Sequence, residues 1–127
     1  MAYQIEWNES GVFGTFAGIV TAQDIFAFND DIYGDIRFDS MHFQLIDLLA
    51  IEDFTVSEMD MKRIAATDAA ASRWSAYKRR VRVAVATTHP KAIRMTQLYA
   101  ASLMSYSCWE AQVFDDIEKA RNWVAEA

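Results

Sequence analysis

A group of aromatic and methionine side chains clusters in the second half of the chain, and their types suit the binding of a small apolar molecule. Tyrosine and tryptophan carry one polar atom on a large apolar ring, and methionine adapts its shape to varied ligands. Pockets for small molecules are lined mainly by such groups. An ordinary packed core is the competing interpretation. The candidate ligand-binding residues are Trp74, Tyr77, Met95, Tyr99 and Trp109, with Met104 and Tyr106 in the same stretch.

A second candidate is a small-anion site formed by Thr88, His89 and Lys91. Pro90 follows His89 and suits the first turn of a helix, because its missing amide needs no partner there. The free amides of such a turn can hold an anion, and the lysine adds positive charge. Ordinary helix capping by the same residues is the competing interpretation.

We expect neither a catalytic centre nor a metal site, so the predicted protein is not an enzyme and needs no cofactor. A covalent nucleophile needs a neighbouring base and a group that orients that base. Neither His42 nor His89 stands in a signature with Cys108, the single cysteine, which we expect to be packed at a strand end. The acidic pairs Asp30-Asp31 and Asp115-Asp116 point in diverging directions on a helix, and no Cys/His spacing resembles a zinc site.

Length and composition predict one domain, residues 1–127, with 53% hydrophobic residues to build a core. The net charge of −6 repels phosphate backbones, and the basic residues form only one short cluster, Lys78–Arg80 with Arg82. Nucleic acid is therefore not an expected partner. A single cysteine, no basic-then-apolar leader and no apolar run of about 20 residues predict a cytoplasmic protein that does not insert into a membrane.

The first third of the chain has the pattern of a β-hairpin followed by a helix. Apolar residues alternate over 3–7 and return over 12–18, with turn residues between them. Gly14 inside the second strand indicates a bulge or a close packing contact. Thr21-Ala22-Gln23-Asp24 fits a capping box at a helix start, and Gly34 suits the end of that helix.

Three strand–helix units follow. The strands are predicted at 42–47, 81–86 and 109–114, and 48–54 is interpreted as a link. The helix after the link begins at a cap formed by Thr55 or Ser57, and Asp68 is expected at the edge of its buried face. The predicted fold is α/β: a mostly parallel open sheet of about five strands, with an N-terminal hairpin and about four helices.

This succession resembles the SpoIIAA-like superfamily, which unites STAS domains and lipid-binding CRAL-TRIO domains, and within it a small stand-alone bacterial family of uncharacterised function. The resemblance implies a βα superhelix and a non-enzymatic binding or regulatory domain. The matching stretches cover most of the chain: Gly11–Gly18 with Thr21-Ala22-Gln23-Asp24, Phe43–Asp47, Val56-Ser57 with Ile64–Asp68, Val83–Ala86, and Val113–Asp116 with Ala120–Trp123.

The resemblance also sets expectations for regulation and partners. In STAS antagonists of anti-sigma factors, a strand ends in an aspartate, and a phosphorylatable serine follows two residues later. Asp47 matches the aspartate, but Leu49 stands in the serine's place, so we expect this switch to be absent, with Thr55 and Ser57 acting as helix caps. CRAL-TRIO relatives hold an apolar ligand between sheet and helices, and we expect this chain to lack the helical domain that usually accompanies them.

The partners that follow from these patterns are a second copy of the chain, another protein, or a small apolar ligand. Tyrosine and tryptophan are enriched at interface hot spots, so the aromatic side chains favour a homodimer. A small pocket or a dimer interface is a better expectation than a lipid-sized cavity.

Overall fold

The structure, a computed structural model, describes residues 3–74 and 80–126, and for Trp74 it describes the backbone alone. Tyr77 and the first two residues of the predicted basic cluster lie outside the described residues. The elements in chain order are β1 (Tyr3–Trp7), β2 (Gly11–Val20), α1 (Ala22–Tyr33), a 3-10 turn (Ile36–Ser40), β3 (Phe43–Phe54), α2 (Glu58–Trp74), β4 (Arg82–Ala86), α3 (Pro90–Tyr106), β5 (Glu110–Phe114) and α4 (Ile117–Ala125).

Within the described residues, the strands form one five-stranded sheet in the order β1-β2-β3-β4-β5. The β1–β2 pair is antiparallel, and the other three pairs are parallel. The predicted α/β fold with an N-terminal hairpin, a mostly parallel sheet and four helices is confirmed. Parallel neighbours require crossover connections, and α1 to α3 supply them.

Helices cover both faces of the sheet. Helices α1, α2 and α3 pack on one face and form the main core, in which Phe28, Ile64 and Tyr99 are buried. Helix α4 covers the other face over β3 to β5, where Ala84 and Val124 belong to a smaller cluster. Strand β4 is apolar on both faces because it is covered on both sides.

Strand β3 is longer than predicted, and the interpretation of 48–54 as a link is wrong. The strand runs on to Phe54, and its second half pairs only with β2, as far as the Val20–Phe54 position. The pairing shifts register between Thr15 and Ala17 and again after Gly18. Such irregularities break the period-two alternation by which a strand is recognised from its sequence.

The predicted helix starts are resolved by side-chain caps. The hydroxyl of Thr21 accepts the amide of Asp24 at 3.2 Å, and the carboxylate of Asp24 accepts the amide of Thr21 at 2.9 Å. Ser57 caps α2, because its Oγ accepts the amide of Asp60 at 3.1 Å. Thr55 is not that cap: its hydroxyl donates to the carbonyl oxygen of Val20. The capping box at Thr21 is confirmed, and the alternative start of α2 at Thr55 is wrong.

Gly14 makes a close packing contact with Phe28 of helix α1. An added Cβ would lie 2.4 Å from Cε1 of Phe28, so helix α1 approaches β2 only because the side chain is absent. We expect Gly14→Ala to lower the free energy of unfolding in urea by about 1–3 kcal/mol through overpacking. Gly34→Ala is the control, since Gly34 is exposed with an ordinary φ of −80°. Equal losses in the two variants would contradict this prediction.

Candidate functional site

A cavity of about 50 Å³ lies between the sheet and the layer of helices α1, α2 and α3. Its walls are mostly apolar, with Phe28 and Ile64 on the helix side and Val85 on the sheet side. Ile46 also lines it and stays only half-buried, although it lies on the central strand with paired strands on both sides. Several polar side chains interrupt this apolar surface, and they give the cavity its chemical character.

Asp68 is the first of these polar groups. It lies on α2, is 3% exposed, and accepts hydrogen bonds from the hydroxyls of Tyr33 and Tyr99, the latter at 2.6 Å. None of the described side chains that line the cavity is a lysine, arginine or histidine. The carboxyl group is therefore held by two hydroxyl donors from α1 and α3 and not by an opposite charge.

The environment of Asp68 changes its acidity. Burial raises the pKa of Asp68 from 3.8 to about 7, and the hydrogen bond from Tyr99 opposes part of that rise. Burial and the neighbouring carboxyl together raise the pKa of Tyr99 well above its ordinary value of 10. The carboxyl consequently gains and loses its proton near neutral pH, whereas Tyr99 keeps its proton.

Asn29 and Gln44 place two further polar groups in the cavity wall. They are 4% and 1% exposed, and neither Asn29 Nδ2 nor Gln44 Nε2 has a hydrogen-bond partner within the described part of the chain. A buried donor without a partner costs about 1–3 kcal/mol. Asn29 comes from α1 and Gln44 from β3, so the two amides belong to opposite walls. Both nitrogen atoms are almost completely covered by neighbouring atoms, so the surface that the cavity offers to a bound molecule is mostly apolar.

The predicted ligand residues are distributed unevenly around this cavity. Tyr99 lines it and donates to Asp68. Met95 and Trp109 are buried in the surrounding core and are not part of the cavity wall. Trp74 is the last residue of α2 and is described by its backbone alone. Tyr77 lies outside the described residues.

The predicted anion residues lie where α3 begins. His89 precedes the helix, but its side chain makes no capping hydrogen bond to the first turn. Its Nε2 lies 3.5 Å from a carboxylate oxygen of Asp53, which brings negative charge to the same place. Thr88 is exposed, and Lys91 is partly buried. A carboxylate beside the helix start opposes the binding of an anion there.

Cys108 was expected to be packed, and that expectation is wrong, because the residue is exposed in the loop before β5. Asp47 lies within β3 and accepts the amide of Leu49 at 2.9 Å. Among residues 3–74 and 80–126, no three His, Cys, Asp or Glu side chains come together in a way that could hold a metal ion. No helix within these residues combines the length and the apolar character needed to cross a bilayer.

Three of the polar residues that line the cavity were not among the predicted site residues, although Asp68 was expected at the edge of the buried face of α2. Asn29, Gln44 and Asp68 each lie in an element whose apolar pattern was recognised, but their polar side chains face inward. A usable signal is present in two cases. Gln44 interrupts an apolar strand, and Asp68 follows Ile64 by one helical turn, on the buried face of α2.

Comparisons with known proteins identify the fold. No family model matches the chain, and no curated protein matches it in sequence. An uncharacterised DUF3478 protein with a SpoIIAA-like fold from Shewanella loihica PV-4 is 16% identical, with a TM-score of 0.53 over 97% of this chain and 92% of that chain.

Two structures of SpoIIAA itself are also similar. The anti-sigma factor antagonist SpoIIAA in its unphosphorylated form is 12% identical, with a TM-score of 0.62 over 99% of this chain and 100% of that chain. The Bacillus cell fate determinant SpoIIAA in its phosphorylated form is 12% identical, with a TM-score of 0.56 over 96% and 99%. The resemblance inferred from the sequence is confirmed at the level of fold: this chain has the SpoIIAA-like fold.

Proposed function

We propose that this protein is a non-enzymatic, STAS-like binding domain that holds a small, largely apolar molecule between its sheet and its helices, as a carrier or sensor. One observation carries the proposal: a mostly apolar cavity of about 50 Å³ lies between the sheet and three crossover helices. Pockets for small molecules are concave and lined mainly by apolar and aromatic side chains, with a few polar groups.

The size of the cavity limits the ligand. An engineered lysozyme cavity of about 150 Å³ takes up benzene, so a cavity one third as large suits only a few heavy atoms. A lipid would require the helices to separate from the sheet. This supports the expectation of a small pocket.

A sensor also needs its ligand to alter the protein. Three crossover helices contribute to this cavity, through Phe28 on α1, Asp68 on α2 and Tyr99 on α3. A molecule that binds only when these helices are packed on the sheet stabilises that arrangement by its binding free energy. Ligand binding in the cavity would thereby affect the outer surfaces of the same helices.

The proposal is tested by native mass spectrometry of freshly purified protein and by thermal shift with small hydrophobic molecules. We expect an added ligand mass or a raised melting temperature, with about 2.7 kcal/mol of stabilisation at 100 times the dissociation constant. Protein that has a ligand-free mass and shows no thermal shift with any of the molecules would contradict the proposal.

A matched pair of variants locates the binding. Val83→Ile adds a methyl group to the cavity wall, whereas Val81→Ile makes the same addition in the core away from that wall. We expect ligand binding to be lost in Val83→Ile and kept in Val81→Ile. The reverse pattern would place the ligand elsewhere.

A second candidate function is regulation through association with another protein, including a homodimer. One structural neighbour is described as an anti-sigma factor antagonist. In this chain Ile19 on β2 is 57% exposed, and Leu49 on β3 is also exposed. Leu49 has no hydroxyl, so this role would not use a phosphorylated serine at that position. Exposed apolar side chains on a sheet favour association.

Light scattering tests the association. We expect a homodimer that forms with rising concentration and that Ile19→Lys weakens. Met59→Lys is the control, since Met59 is equally apolar and exposed but lies at the start of α2. A monomer at about 100 µM, far above ordinary micromolar affinity, would contradict the homodimer.

A further inference from the structure

We infer that a groove on the α4 side of the sheet binds an extended segment of another protein, which carries one large apolar side chain between a basic and an acidic residue. The groove has a volume of about 690 Å³ and lies between the β1–β2 hairpin and the second half of α4. The cavity described above lies on the opposite face of the sheet. The inference therefore goes beyond the ligand-holding function and can fail without it.

The floor of the groove is apolar. Phe13 of β2 and Phe43 of β3 pack edge to face with their ring centroids 5.3 Å apart, and Val124 of α4 borders them. Phe13 is only half-buried, although its strand has a paired neighbour on each side. An apolar side chain that enters the groove would cover this ring, and the burial of apolar surface stabilises such a complex.

The two sides of the groove carry opposite charges. Glu6 lies on β1, at one end of the strand order, whereas Arg121 lies on α4, which packs on β3 to β5. Both side chains are exposed, and Arg121 pairs with Glu118 of its own helix at 3.1 Å. An exposed pair of this kind contributes little, so Arg121 can exchange Glu118 for an acidic residue of a partner. A basic residue on the hairpin side and an acidic residue on the α4 side would match both charges.

The exposed sides of the groove favour a protein segment over a small molecule. Asn8, Ser10 and His42 also line the groove, and all three residues are exposed. Sites for small molecules bury about 70–90% of the ligand surface, and a groove with exposed sides does not provide such burial. An extended segment needs only one buried anchor, and the charges on either side of that anchor give specificity.

A second copy of the chain is the competing occupant. Ile36 is 88% exposed and stands between Asp35 and Arg37, so this chain also has an apolar side chain between opposite charges. However, the guanidinium of Arg37 donates two hydrogen bonds to the carboxylate of Asp35, at 2.9 and 2.8 Å, and lies over the ring of Trp7. Such a two-point pair is stronger than a single exposed contact, and docking in the groove would break it. The contacts therefore favour a segment of another protein.

The probes are pentapeptides with blocked ends that differ in the residues beside a central phenylalanine: Ser-Lys-Phe-Glu-Ser, Ser-Lys-Phe-Lys-Ser and Ser-Glu-Phe-Glu-Ser. Nitrogen-15 NMR of the whole protein at low salt follows the backbone amides of Phe13 and Phe43 and gives a dissociation constant for each peptide. We expect the peptide with lysine and glutamate to bind about fivefold more tightly than the other two, because each of those replaces an attraction by a repulsion. Glycine in place of the central phenylalanine should weaken binding about tenfold.

Two charge reversals should change which peptide binds best. Glu6→Lys makes both sides of the groove basic and should favour the peptide with two glutamates. Arg121→Glu makes both sides acidic and should favour the peptide with two lysines. Glu9→Lys and Lys119→Glu make the same changes of net charge at exposed positions outside the groove and should keep the wild-type order.

Three outcomes would overturn the inference. Equal binding of the three charged peptides, or equal effects of the reversals and their controls, would show that the groove does not distinguish charge. A wild type without any shift would show that the groove does not bind such a segment, and the cavity on the other face would keep its own test. Binding of the peptides by Ile36→Lys but not by the wild type would show that a second copy occupies the groove.

Discussion

Replacing Asp68 with asparagine is expected to remove a large pH dependence of stability between about pH 4 and pH 7. The pKa of this carboxyl is raised from 3.8 to about 7 in the folded protein, because the group is buried. Folding therefore favours the protonated form. The contribution of Asp68 is fully present below the unfolded pKa and is lost as the pH rises through the folded pKa.

The size of the effect follows from the shift. Each pKa unit corresponds to about 1.4 kcal/mol, so the wild type should lose about 4 kcal/mol relative to Asp68→Asn across this window. Urea unfolding at several pH values measures the difference between the two proteins. Asp39→Asn removes an exposed carboxyl and should retain the wild-type curve. A difference between wild type and Asp68→Asn that stays flat from pH 4 to pH 8 would contradict the role assigned to burial.

The second large effect is expected at Phe28, which is 1% exposed and lies between the cavity and the N-terminal hairpin. Its ring packs against those of Tyr3 and Phe16, at centroid distances of 5.6 and 5.2 Å. Phe28→Ala would join the volume of the lost ring to the existing cavity. We expect the free energy of unfolding to fall by about 3–5 kcal/mol.

Phe28→Ala should also bind a ligand that the wild type does not bind. The enlarged cavity is mostly apolar, so benzene should bind and restore part of the lost stability, which urea unfolding with and without benzene would measure. Phe13→Ala is the control, because Phe13 packs on Phe43 at the opposite face of the sheet. A loss below about 1 kcal/mol, or equal rescue of both variants, would show that Phe28 does not border the cavity.

The fold was predictable because its signals are local. Alternation over 3–7 and 12–18, the capping box at Thr21 and the glycine after α1 each involve residues only a few positions apart. The end of β3 was not predictable in this way. Its pairing with β2 passes through two register shifts, and these depend on the partner strand.

The candidate site was only partly predictable, because its contacts join distant parts of the chain. The carboxyl group of Asp68 accepts hydrogen bonds from Tyr33, 35 residues before it, and from Tyr99, 31 residues after it. Tyr99 was identified from its type, as an aromatic residue at helical spacing. Nothing in the sequence near Gln44 or Asn29 indicates that their amides lie in one cavity, because that depends on how α1 crosses the sheet.

The most direct test of a ligand-holding cavity is a high-resolution crystal structure of freshly purified protein. We expect connected density larger than water between the sheet and helices α1 to α3. A closed core with no space between the sheet and these helices, or a cavity that contains only separate waters, would contradict a ligand-holding cavity.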